Sequence, residues 1–189
     1  SIFELAVGTN ASLSTGSYRQ RLNPLGYANI VVSQAAYDAY SSTDIRKNLI
    51  TTSSGIRYLS NNNGTGKYTN TTGADNIKML RYEEILLNGV EAELQPGGNP
   101  AKALNYYNQI VTNRGLPVAT TVTMTMLKAE RMKELLGEGL RQWDLRRWGD
   151  TVPRPSTAST DPRMNAFPIP RGETDIAGTP VVSNPGYDN

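Results

Sequence analysis

With 189 residues, a net charge of +2 and acids interspersed among the bases, the chain has the length for one core and no basic patch to meet nucleic acid. It contains neither histidine nor cysteine, which removes imidazole bases, thiol nucleophiles, disulfides and the usual zinc ligand sets together. No apolar run approaches ~18 residues, so no membrane-spanning helix is expected.

The opening Ser1-Ile2-Phe3-Glu4-Leu5 alternates as a strand does, with no targeting segment before it. A strand needs neighbours, and the expectation is that they lie upstream, in a longer protein of which this is a fragment. Residues 8–29 are rich in Gly, Ser, Thr and Asn and read as loop, with Tyr18 and Tyr27 placed in it. Ser33 is positioned to cap a short helix through Tyr40. Residues 51–76 are the most polar segment. Asn63-Gly64, flanked by Ile56–Leu59 and by Lys67-Tyr68, is the expected hairpin tip there. Asn10, Asn63 and Asn70 match the N-x-Ser/Thr glycosylation pattern, as chance delivers in so Asn- and Thr-rich a chain.

Residues 77–94 read as a helix with Tyr82, Ile85, Leu86, Gly89 and Val90 toward one side and Glu84, Asn88 and Glu91 opposite. Pro96-Gly97-Gly98 ends it. Asn99 and Pro100 then supply a cap and a first-turn proline for a second helix, which Gly115 and Pro117 stop. So short a link makes the two antiparallel. Ala103 and Tyr107 reproduce the A-x₃-aromatic spacing of a tetratricopeptide second helix.

Thr123 or Thr125 caps a third helix that leads into ERMKELLGEGLRQWDLRRWG, residues 130–149. Glu130, Glu134 and Glu138 stack on one helical face and repel unless cations lie close; Arg131, Lys133, Arg141, Arg146 and Arg147 are the local supply. Ala129, Met132 and Leu136 form the expected apolar edge, Gly137 and Gly139 break the helix, and Trp143, Leu145 and Trp148 are the packing groups of a short helix stopped by Gly149. The reading is a structural ion-pair cluster of Glu84, Glu91, Glu130, Arg131, Glu134, Glu138, Arg141, Asp144 and Arg147, with Glu84 or Glu91 bridging to an arginine of 131–147. Seven of the eleven prolines follow Gly149, so residues 150–189 read as an extended tail. Phe167-Pro168-Ile169-Pro170 is expected to press onto the helices. The chain thus divides into a loop-rich segment, 1–76, a helical core, 77–149, and the tail.

In this order the pieces resemble the C-terminal part of the SusD/RagB family. RYEEILLNGVEAEL (81–94) is similar to that family's R-Y-x-E-x-L-L-x-x-A-E-A helix, with Val90 in place of its first alanine. ALNYYNQIVTNRGLP (103–117) resembles its A-x-x-y-x-N-x-V-x-x-R-A-G-L segment. Residues 130–149 resemble E-R-x-x-E-L-x-x-E-G-x-R-x-x-D-L-x-R-W-G, and AFPIPRGE (166–173) and NPGY (184–187) its closing signatures. Residues 1–76 carry a diffuse likeness, chiefly I-F-E-L and the D-x-R of Asp44 and Arg46. The resemblance implies a mainly α fold with tetratricopeptide-like hairpins, long irregular loops and few short strands. It also implies a surface-exposed outer-membrane lipoprotein of Bacteroidetes. Such a protein sits as a lid on a SusC-like TonB-dependent transporter and hands over glycan or other oligomeric nutrient, with the upstream part of the same polypeptide as a further partner.

A glycan binder needs aromatic planes for sugar faces. Of ten tyrosines, Tyr18, Tyr58 and Tyr68 sit in the polar loops and are the stacking candidates. No cofactor or metal is implied. A glycoside hydrolase needs two carboxyls flanking a cleft, one with a raised pKa, whereas Glu134 and Glu138 belong to an arginine-rich corner that should lower it. A tetratricopeptide-type interaction scaffold fits the hairpin but not the polar loops or the proline tail.

Overall fold

The computed structural model describes residues 1–11, 13–153 and 166–187. Pro155, Pro162 and Ser12 of the first glycosylation pattern lie outside them. Two compact units emerge, residues 1–144 and 145–189.

In the first unit, helices dominate and the strands are short. Strand β1 (Phe3–Leu5) pairs antiparallel with β4 (Ile77–Leu80), so its partner lies 70-odd residues downstream, not upstream as expected. This pairing also corrects the helix start: Ile77-Lys-Met-Leu80 alternates and is drawn into the sheet, and α3 is Tyr82–Glu93. Helices α1 (Tyr18–Leu22) and α2 (Gln34–Asp38) are each capped by a serine hydroxyl, Ser17 and Ser33.

The hairpin in the polar region is β2 (Thr51–Ser53) with β3 (Ile56–Tyr58), and its tip is Ser54-Gly55 rather than Asn63-Gly64. Both tip residues have positive φ, 49° and 78°, and that backbone twist is what a two-residue hairpin needs. Asn63 and Asn70 instead close their own turns. Each side-chain oxygen accepts from the backbone N–H and hydroxyl of the threonine two residues on, Thr65 and Thr72. The N-x-Thr matches are therefore self-capped turns.

Helix α3 packs antiparallel on α4 (Pro100–Val111), whose cap is Asn99 as expected, bonding the N–H of Ala101 and Lys102. With α5 (Met124–Glu134), capped by Thr123, they enclose Leu87, Val90, Ala103, Ile110 and Leu127. Each large aliphatic group so buried contributes about 1.5–3 kcal/mol. A second apolar cluster, Leu22, Val32, Tyr40, Ile50, Leu59 and Tyr68, lies under the loops.

Gly115 ends the α4 segment with φ +75°, its N–H on the Thr112 carbonyl and the Leu116 N–H on that of Val111. A Cβ there would stand 2.7 Å from the Thr43 carbonyl oxygen, which is backbone and cannot swing away. Gly115→Ala is expected to lose about 2–3 kcal/mol, the left-handed penalty plus the clash, as read by urea denaturation. A loss below about 0.5 kcal/mol would show that the Thr43 turn yields.

Helix α6 (Arg141–Arg147) crosses from the first unit to the second. Gly149 stops it as expected, with φ +71° and the Asp150 N–H on the Leu145 carbonyl. In the second unit, α7 (Arg171–Thr174) follows the Phe167–Pro170 run. The carbonyls of Ala166 and Phe167 accept from Tyr187 and Asn184, so NPGY and the P-I-P run fasten each other. Phe167 is 91% exposed, contrary to the expected burial, while Ile169 is half-buried.

Candidate functional site

Helix α5 carries its charge inward. Glu130, Arg131 and Glu134 are buried with Leu127, while Ala129 of the expected apolar edge is exposed. The reason is the source of the cations. Of the cations expected among residues 131–147, Lys133 pairs with Glu130 from three residues along the same helix, but the arginines on the glutamate face arrive from elsewhere in the chain.

Arg46, on the short 3-10 turn Ile45–Leu49, is the hub. Its guanidinium grips Asp44 at 2.7 and 2.9 Å, Glu130 at 2.6 Å and Glu134 at 2.8 Å. Arg114, from the end of the α4 segment, holds both Glu134 oxygens at 2.9 and 3.0 Å and reaches Glu83 at 3.0 Å. Arg81, just before α3, contacts Glu134 at 3.2 Å and Glu138 at 2.9 Å. Lys67 meets Glu138 at 2.5 Å, and Lys133 meets Glu130 at 2.9 Å. Glu134 thus joins three arginines from three parts of the chain.

Other members differ from expectation. Arg131 turns away from the glutamates, forks onto Asp144 at 2.9 Å twice and donates to Asn88 of α3 at 2.7 Å. This fork fastens α5 to α6, and Trp143 is 64% exposed. Arg141 lies outside the carboxylate network and donates to the Lys128 carbonyl. Arg147 is exposed, its guanidinium 5.1 Å from the Trp148 ring centre. From α3 it is Glu83, with Asn88, that reaches the network; Glu84 has no ion-pair partner among the described residues. Glu91 lies further along α3, half-buried.

The electrostatics follow from the contacts. Burial alone would raise the Glu134 carboxyl, but the hydrogen bond from Arg114 and the charges of Arg114, Arg46 and Arg81 outweigh it and hold the pKa at about 2. Burial likewise works against charge on Arg46, yet Asp44 and Glu130 raise its pKa above the ordinary value. Burial lowers Lys67, which Glu138 only partly offsets. Since Glu134 is shifted down from 4.5, its stabilisation is complete above pH 4.5 and is lost as the pH falls toward 2. We expect that loss to be on the order of 3 kcal/mol, measured as acid-induced unfolding by circular dichroism. A transition that Glu134→Gln leaves unchanged in shape would assign it to other groups.

The three stacking candidates have different fates. Tyr58 and Tyr68 are buried, and Tyr68 donates its hydroxyl to the Gly137 carbonyl at 3.0 Å. Burial raises the Tyr68 phenol well above its usual range. Tyr18 stacks on Tyr68, ring centres 4.1 Å apart and planes 17° from parallel, and stays half-exposed. So two of the three rings serve the core, because the polar loops fold over them. Tyr27 was missed as a candidate: its ring is 58% exposed, with the Arg21 guanidinium 5.5 Å from its centre. A glycine-rich loop holding an aromatic beside an arginine was the available signal. A cleft of about 240 Å³ opens over the cluster, walled by Ile45, Leu49 and Leu136 with Lys78 at its rim.

A sequence model of the SusD family matches residues 26–161. This chain belongs to the SusD family. Among its relatives, SusD-like protein P38 of Formosa agariphila is 36% identical over 90 residues, covering 41% of this chain and 18% of P38. A protein of Bacteroides vulgatus described as sugar binding superposes with a TM-score of 0.77 at 26% identity, covering 99% of this chain and 46% of that one. Surface glycan-binding protein A of Bacteroides uniformis has the same fold, with a TM-score of 0.69 at 24% identity over 97% of this chain and 48% of its own. The SusD-family chain thus spans less than half the length of these relatives. The mainly helical fold with few short strands is that of the family. Among the described residues, no helix is long and apolar enough to cross a membrane.

Proposed function

We propose that this SusD-family chain serves in the non-catalytic capture of glycan at the bacterial surface. In this reading it belongs to an outer-membrane lipoprotein that delivers its ligand to a SusC-like TonB-dependent transporter. The observation that carries the reading is the family match over residues 26–161, supported by the sugar-binding description of the Bacteroides vulgatus relative.

The buried network supports a binding role over hydrolysis. A general acid needs a carboxyl whose pKa is raised toward neutrality, and Glu134 is driven the other way. Glu130 is also engaged by Arg46, and Glu134 by Arg46, Arg81 and Arg114. Recognition then falls to the loop surface, where Tyr18 and Tyr27 present accessible ring faces within ten residues of each other.

Affinity electrophoresis of the full-length gene product against neutral and acidic polysaccharides identifies the ligand class, and calorimetry with the matching oligosaccharide tests the residues. Tyr27→Ala is expected to weaken binding about tenfold, the effect of one lost stacking contact. Unchanged affinity in Tyr18→Ala and Tyr27→Ala would place the sugar elsewhere, and release of reducing ends would refute the non-catalytic reading. Co-purification of a TonB-dependent transporter from outer membranes tests the partner.

A further inference from the structure

The β1–β4 sheet has two strands and an uncovered apolar face. Leu5 pairs with Ile77 and Glu4 with Lys78, so the pleat puts the first pair on one side and the charged pair on the other. Phe3, two residues along from Leu5, shares its side and faces Leu80 across a bulge that leaves Met79 as the extra residue of β4. Phe3, Leu5 and Met79 are each between 55% and 61% exposed, as is the adjoining Ile2. The outer edges of both strands carry no further strand among the described residues. No proline or inward charge protects either strand, and a bare two-stranded ribbon of this kind is not stable in water by itself.

We propose that this face is an interface for further residues of the same polypeptide, which pack on Ile2, Phe3, Leu5 and Met79 and extend or cap the sheet. The occupant is argued from length. The solved relatives that match 97–99% of this chain are matched over only 46–48% of their own, so they hold about as much polypeptide again. A second copy of this chain is the competing occupant.

Peroxide oxidation of methionine, read by peptide mass spectrometry, separates the two. In the full-length gene product, Met79 should oxidise at least about tenfold more slowly than in the 189-residue chain, with half-buried Met124 as the internal reference in both. Equal Met79 rates in the two proteins would overturn the proposal. So would protection in the 189-residue chain that rises with concentration alongside a dimer, or a reading frame that encodes nothing beyond these residues. The Phe3→Ser/Met79→Ser pair supplies a second readout. It should lower the melting temperature of the full-length product and leave that of the 189-residue chain nearly unchanged, whereas a role confined to the two strands would lower both.

Discussion

Glu134→Gln is expected to destabilise the chain by about 3–5 kcal/mol, the range for removing one partner of a buried ionic network. Three guanidiniums converge on this carboxylate: Arg46 at 2.8 Å, Arg81 at 3.2 Å and Arg114 at 2.9 Å. The amide keeps the shape but withdraws the charge and one acceptor, and its NH₂ faces donors. Glu130 and Glu138 retain contacts to Arg46 and Arg81, which keeps the loss below that of deleting the whole network. Equilibrium urea denaturation with unchanged m-value is the measurement. A loss under 1 kcal/mol would mean that water already screens the cluster.

Arg46→Met is expected to be of similar size, about 3–5 kcal/mol, for the mirror-image reason. It strands Asp44 and Glu130, whose side chains are fully buried, with only Lys133, 2.9 Å from Glu130 and 3.8 Å from Asp44, to compensate, while Glu134 keeps Arg81 and Arg114. Arg46→Lys should recover less than half of the loss. An ammonium has no planar fork with which to hold Asp44 through two nitrogens while reaching two glutamates. Combining Arg46→Met with Glu134→Gln should cost less than the sum of the two, because each relieves the charge the other exposes. Strict additivity would argue that the residues do not share one network.

Much of the fold was legible because it rests on local rules. Asn99-Pro100, Thr123, Gly115 and Gly149 set helix boundaries through caps and left-handed stops whose geometry involves only near neighbours. The failures are non-local. Ile77–Leu80 reads as helix until β1 arrives to pair with it. The glutamate stripe was legible as an ion-pair cluster, yet its main cations come from Arg46, Arg81 and Arg114, at separations of 88, 53 and 20 residues from Glu134. No periodicity reports that. The D-x-R of Asp44 and Arg46 marked the hub, and Arg81 and Arg114 stood in the two helical segments of the family resemblance. The ligand face was hardest, since Tyr18, Tyr58 and Tyr68 have the same polar sequence surroundings and only the folded loops decide which rings are covered.

The distances along the chain over which Glu134 gathers its arginines bear on how the protein can be cut. Expression of residues 77–189 alone would omit Arg46 and Lys67, and α5 would carry its acidic face into water with two cations fewer. The loop-rich half would in turn leave Arg46 with Asp44 alone and lose the Lys133 and Gly137 carbonyls that receive the Tyr40 and Tyr68 hydroxyls. Neither half is a self-sufficient module, so a binding surface on these loops cannot be transplanted without the helices that neutralise its underside.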